Sequence, residues 1–110
     1  MDQRFCQRLP CEFPVTFSGD EIAGEGTVVD MSVGGWRVRV QSPTVVREGT
    51  YLTLRMAPPD NEPTMMEIAL AVVRWSEGGE FGLEYLVIGA EARERLRRFV
   101  KSLEMAASRQ

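Results

Sequence analysis

The sequence contains no histidine, two cysteines and a single lysine, Lys101, among its 13 basic residues. Without histidine the chain has no imidazole general base, no Ser–His–Asp triad and no imidazole metal ligand. Cys6 and Cys11 alone do not make a structural zinc site, and two reduced thiols are expected rather than a disulfide. We therefore predict that the chain is not an enzyme and holds no metal and no cofactor.

Long apolar runs are also missing. No segment approaches the roughly 18 apolar residues that a membrane helix requires. The opening MDQRFCQR is unlike a signal peptide, so we expect a cytoplasmic protein without membrane insertion. The net charge is −3 and the isoelectric point is near 5.0, which argues against binding to a nucleic-acid polymer.

What is present fits one globular domain. The chain has 110 residues, of which 44% are hydrophobic and 26% charged. Residues 65–75 are long enough for a helix, but their β-branched content and flanks favour a strand. With them, six segments predict strands, most of them by the alternation of apolar and polar residues. These segments cover residues 11–18, 25–30, 36–41, 50–56, 65–75 and 81–87.

The same alternation predicts which side chains face the core. Trp36 shares one face with Val38 and Val40, and Arg37 and Arg39 take the opposite, solvated face. Other inward positions by the same rule are Trp75, Phe81, Leu83, Tyr85 and Val87. Pro14 predicts that its strand is an edge or is only beginning there.

The period changes from two to that of a helix after Gly89. Apolar residues then follow helical spacing with arginines and glutamates between them, at Ala92, Leu96, Phe99, Val100 and Leu103. The arrangement predicts a mainly β fold, a small six-stranded antiparallel barrel with a C-terminal α-helix. We divide it into an N-terminal segment (1–10), the barrel (11–88) and the helix with its tail (89–110).

Two polar clusters offer binding chemistry. Arg4 and Arg8 lie four residues apart ahead of the first strand, and Asp30, Ser32, Gly34 and Gly35 follow the second. Arginine pairs with phosphate or with guanine O6 and N7, and it stacks on a purine. An aspartate accepts hydrogen bonds from guanine N1–H and the amino group, and glycine lets a ligand approach the backbone.

Each cluster also has an ordinary structural explanation. Arg4 and Arg8 suit solvated charges near a terminus, and Asp30 and Ser32 suit caps of a turn. The two glycines are expected to supply positive φ. Arg37 and Arg39 are solvated or line a site. A partner surface is the alternative to a plain charged face for the helix arginines, Arg93, Arg95, Arg97 and Arg98.

The order of these motifs resembles the bacterial PilZ domain family. The segment RFCQR (Arg4, Arg8) is similar to the family's RxxxR, and DMSVGG (Asp30, Ser32, Gly35) is similar to its [D/N]xSxxG. RLPCEFPV, AVVRW and GGEFGLEY also resemble family segments, so the likeness runs from residue 4 to about 100. Phe5 stands where family members often have a second basic residue directly after the first arginine.

The resemblance implies a six-stranded barrel that binds the second messenger cyclic di-GMP. By position, Arg4 and Arg8 would hold phosphates and guanine, Asp30 and Ser32 would recognise a guanine, and Gly35 would make room for it. Gly34 and Trp36 are secondary ligand positions, and Phe5 implies weaker binding. Ligand would draw the N-terminal segment onto the barrel and change the surface shown to a partner protein. The alternative is a PilZ-like adaptor that binds protein but no nucleotide.

Overall fold

The computed structural model describes residues 8–32, 34–57 and 64–108. Within them the chain forms six strands and one helix. The strands close into an antiparallel barrel in the order β1, β2, β3, β6, β5, β4. Their bounds are β1 Leu9–Gly19, β2 Ile22–Met31, β3 Gly35–Val40, β4 Tyr51–Met56, β5 Met66–Glu77 and β6 Glu80–Val87, and the helix α1 is Ala90–Ser108. The mainly β barrel with a C-terminal helix is confirmed.

Short connections join β1 to β2, β2 to β3 and β5 to β6. Gly78 and Gly79 connect β5 to β6 with φ of 63° and 79°. Two consecutive positive φ values are the signature of a type I′ turn, whose twist matches that of paired strands. The alternation of the flanking strands and this turn together fix the β5–β6 register, in which Glu77 pairs with Glu80.

The barrel interior is filled by the inward side chains of all six strands, and α1 packs against β1 and β5. Phe99 of α1 lies against Phe13 of β1 with ring centroids 5.9 Å apart. Leu96, Phe99 and Val100 are buried there, as the helical spacing predicts. Among the described residues no helix has both the length and the apolar composition needed to cross a membrane.

Irregularities in strand pairing overturn two predicted core positions. Trp75 is 39% exposed and Val87 is 52% exposed, whereas simple alternation places both inside. The β5–β6 register shifts between Val73 and Trp75 and again between Leu70 and Ala71. A bulge adds a residue to one strand and so reverses the faces beyond it. Trp75 consequently pairs with the outward Gly82.

Pro14 lies inside β1 rather than at its start. It pairs with Thr27 of β2, but the pairing of β1 with β4 begins only at Val15. A residue without an amide hydrogen is tolerated where one side of the strand has no ladder. The prediction of an edge position therefore holds locally, within a barrel that is otherwise closed.

Candidate functional site

A bulge in β2 positions the acidic residue of the second polar cluster. Val28 pairs with Val38 and Asp30 pairs with Arg37, so one extra residue lies between the two pairs. Val28 is fully buried, and strict alternation would turn Asp30 to the same interior face. The extra residue instead places Asp30 on the outside of the barrel, beside Arg37.

Two arginines hold the carboxylate of Asp30. The Nε of Arg8 donates to Oδ1 at 3.0 Å, and the Nε of Arg37 lies 2.9 Å from Oδ2. The N–H of Arg37 is not aligned as a hydrogen bond, so that contact is an ion pair. The Asp30 side chain is only 13% exposed, which strengthens its attraction to both guanidinium groups. Residues 22 positions apart are thereby brought together.

Ser32 lies beneath this cluster and organises the turn. It is 2% exposed, and its Oγ accepts hydrogen bonds from the amides of Gly34 at 3.2 Å and Gly35 at 3.3 Å. The same hydroxyl donates to the carbonyl of Gly35. Nη1 of Arg8 lies 3.5 Å from Ser32 Oγ. Its hydrogen-bonding capacity is thus used within the turn and by Arg8.

The two glycines of the turn do not have the positive φ expected from the sequence, so that prediction is wrong. Positive φ among described glycines occurs only at Gly49, Gly78 and Gly79. Gly35 is needed for a different reason, because a Cβ there would collide with the carbonyl oxygen of Leu83 on β6. A Cβ at Gly34 would meet nothing within 4 Å.

Tyr85 of β6 contacts the turn from the barrel side. Its hydroxyl donates to the carbonyl of Ser32 at 3.3 Å, and its amide donates to the carbonyl of Gly34 at 3.2 Å. Its ring meets Trp36 edge to face, with centroids 5.7 Å apart. Trp36 is fully buried, as its alternation predicts, so it influences the outer surface only through its neighbours.

Burial raises the pKa of two groups beside the cluster. It raises the pKa of Cys11 to about 12, with a further rise from the charge of Asp30. Burial also raises the pKa of Tyr85 well above its usual value, although the charge of Arg8 acts in the opposite direction. At neutral pH Cys11 is therefore a thiol, and the Tyr85 hydroxyl remains a hydrogen-bond donor.

Arg37 and Trp75 extend the site along the outside of the barrel. Cross-strand pairs run from Asp30 to Arg37, from Arg37 to Gly82, and from Gly82 to Trp75. The Trp75 indole lies so close over Gly82 that a Cβ would collide with the ring. The sequence assigned Trp75 to the core and left Arg37 with two interpretations, because the bulges in β2 and β5 leave no mark on the alternation.

The remaining sequence-predicted residues have different outcomes. Arg4 and Phe5 lie outside the described residues, so the structure brings together one arginine of the RxxxR segment, Arg8, with Asp30 and Ser32. Arg39 is directed to Glu80 at 3.3 Å and not to Asp30. Among described residues no cluster of three or more acidic or cysteine side chains could hold a metal ion.

A comparison with known families gives the class of protein to which this barrel belongs. The family model described as PilZ domain matches residues 2–102, and the chain therefore belongs to the PilZ domain family. PilZ domains are receptor and adaptor domains, and the family is known for receptors of cyclic di-GMP. No curated protein matches the chain significantly.

Solved structures share the fold at low sequence identity. The PilZ domain of CeSA from a cellulose-synthesising bacterium has a TM-score of 0.70 and 20% identity, covering 89% of this chain and 98% of its own. The Bacillus subtilis inhibitor of motility, MotI/DgrA, has a TM-score of 0.74 and 21% identity over 96% of this chain, which matches 53% of that protein. An uncharacterised Legionella protein has a TM-score of 0.52 and 22% identity, covering 93% of this chain and 98% of its own.

Proposed function

We propose that the chain is a receptor for cyclic di-GMP and that the ligand binds on the outer face formed by Arg8, Asp30 and Arg37. The observation that carries the proposal is the 3.0 Å contact between Arg8 and Asp30, which joins the two family motifs into one polar surface. Membership of the PilZ family supplies the class of ligand. The guanidinium groups match phosphate and the O6 and N7 edge of guanine.

Binding requires the ion pairs of Asp30 to be exchanged in part. Each carboxylate oxygen of Asp30 is already approached by a guanidinium, from Arg8 or from Arg37. A guanine that offers N1–H and its amino group to Asp30 replaces at least one of these contacts. The released arginine then faces the phosphate or the Hoogsteen edge of the same ligand, so no charge is left unpaired.

Ser32 and Gly35 contribute through the shape of the turn in this proposal. The Ser32 hydroxyl is engaged by the turn amides and by Arg8, and a direct contact with guanine would require it to leave one of these bonds. Gly35 brings β3 close to β6. We assign both residues to holding Asp30 and Arg8 in place, with Arg4 as the second arginine of the segment.

Trp75 offers an aromatic surface at the far end of the line of cross-strand pairs that begins at Asp30. Its indole lies over Gly82, next to Arg37 on the outer face, and is 39% exposed. A flat aromatic group beside an arginine suits a purine base, which stacks on both. We therefore include Trp75 and Arg37 in the proposed site.

The signal would pass to a partner protein through the surface that the ligand covers. Arg8 directly precedes β1, so a change in its contacts alters the direction of the chain before the barrel. A movement of the N-terminal segment on binding is the mechanism we propose for that signal.

The test is a calorimetric titration with cyclic di-GMP of the wild-type chain and of the Arg8→Ala and Arg55→Ala variants. Arg55 is the matched control because its Nε lies 3.0 Å from Glu67, the same distance as in the pair of Arg8 with Asp30. A charge-assisted contact is worth roughly 1.5–3 kcal/mol. Arg8→Ala should therefore weaken binding at least about tenfold, and Arg55→Ala should leave it unchanged.

Two results would overturn parts of this proposal. Unchanged affinity in Arg8→Ala removes Arg8 from the site. No binding by the wild-type chain at high micromolar ligand rejects the receptor and favours the adaptor that binds protein without nucleotide.

A further inference from the structure

Tyr85 makes three separate contacts with the turn and with the core beneath it. Its hydroxyl bonds the Ser32 carbonyl, its amide bonds the Gly34 carbonyl, and its ring packs edge to face on the buried Trp36. The two hydrogen bonds hold carbonyl groups on either side of residue 33.

The hydroxyl matters for Arg8 as well as for the turn. Nη1 of Arg8 lies 3.5 Å from Ser32 Oγ, and that hydroxyl is fixed by the Gly34 and Gly35 amides. The Ser32 carbonyl that Tyr85 holds belongs to the same residue. A shift of this backbone therefore moves the Ser32 contact of Arg8. The same guanidinium group holds Asp30.

We infer that Tyr85 is a positioning residue of the nucleotide site, acting through its hydroxyl on Ser32 and through Ser32 on Arg8. The inference rests on the proposed function for its ligand. Phenylalanine would fill the same core space and keep the contact with Trp36, so the aromatic ring alone accounts for packing. The hydroxyl is the part that orders the turn, and it is protonated at neutral pH as an ordinary tyrosine is.

The chain supplies its own control for this test, since it contains two tyrosines. Tyr51 is 57% exposed at the start of β4, where it pairs with Val72 of β5 and not with a residue of the turn. Tyr85→Phe and Tyr51→Phe each delete one hydroxyl. Both variants are titrated with cyclic di-GMP, and their unfolding in urea and their amide nitrogen–proton spectra are recorded without ligand.

We expect Tyr85→Phe to weaken cyclic di-GMP binding by about fivefold, the loss typical of one hydrogen bond. The amide signals of Gly34 and Gly35 should shift, while those of the core strand residue Val38 stay in place. Tyr51→Phe should match the wild type in affinity, in unfolding and in its amide spectrum. A loss of affinity with unmoved turn amides would contradict the route through Ser32.

Two further outcomes separate this inference from the function on which it rests. If the wild type binds and Tyr85→Phe binds within twofold of Tyr51→Phe, the positioning role is wrong and the receptor stands. If the wild type does not bind, the receptor function is rejected together with any ligand role of Tyr85. If the Gly34 and Gly35 signals also stay in place in Tyr85→Phe, the proposed effect of the Tyr85 hydroxyl on the turn is rejected as well.

Discussion

At the scale of single residues, the turn between β2 and β3 separates residues that present chemistry from residues that shape the backbone. Asp30 and Arg8 face outward with charges that a ligand can use. Ser32 is buried, and Gly35 fits against the backbone of β6. The second motif is therefore one outward acid beside a turn that Ser32 caps by hydrogen bonds to the amides of Gly34 and Gly35.

This division predicts unequal effects of alanine at adjacent glycines. Gly35→Ala puts a Cβ against the Leu83 carbonyl, where neither backbone has room to move without breaking the β3–β6 pairing. We expect a loss of roughly 2 kcal/mol in the free energy of unfolding, as for other overpacked sites. Urea denaturation followed by circular dichroism measures it.

Gly34→Ala is the matched control for that change. The site has open space for a Cβ and no positive φ, so its free energy of unfolding should stay within about 0.5 kcal/mol of the wild type. Equal losses in the two variants would show that the close approach of β3 and β6 is not what requires glycine at position 35.

The sequence predicts some of these residues and not others for a physical reason. Arg8, Asp30 and Ser32 were identifiable because a family motif preserves spacing along the chain. Arg37 owes its place to a cross-strand pair with Asp30, which exists only once β2 has its bulge. For a side chain on the outer face of a strand, the sequence does not show whether it faces only solvent or lines a binding site.

At the scale of secondary-structure elements, bulges account for most of what alternation missed. Strict period two turns Asp30 inward and hides Trp75 in the core, and bulges in β2 and β5 bring both to the outer face. A bulge changes backbone pairing without a characteristic residue, so the strands were predictable and their phase beyond a bulge was not. Functional strands often use this device to aim a side chain.

The helix α1 packs on the barrel through buried side chains, and a core substitution tests how much this packing stabilises the fold. Phe99 is 9% exposed and packs on Phe13 of β1, so Phe99→Ala removes a buried ring at the helix–barrel contact. We expect a loss of roughly 3 kcal/mol in the free energy of unfolding. Chemical denaturation gives the value directly.

Lys101→Ala on the exposed side of α1 is the control, with an expected change within about 0.5 kcal/mol. If Phe99→Ala were as stable as Lys101→Ala, the helix would not be part of the folding unit, and its packing on β1 and β5 would contribute little to the barrel.

At the scale of the whole molecule, composition and periodicity determined the class of fold. Six alternating segments and one helical segment correspond to the six strands and to α1, with ends differing by a few residues. The six-stranded antiparallel barrel that the sequence predicts is confirmed, and the pairing of β1 with β4 closes it. The proposed site lies on the outer surface because the interior of so small a barrel is filled by its own side chains.

The central claim is that this outer surface recognises guanine through Asp30 and phosphate through arginine. Titrating the wild-type chain in parallel with cyclic di-GMP and cyclic di-AMP tests it most directly, because the two ligands share their phosphates and differ in their bases. We expect saturable binding of cyclic di-GMP and binding of cyclic di-AMP at least about tenfold weaker, since adenine offers no N1–H to Asp30. Equal affinity for the two, or no binding of either, would contradict it.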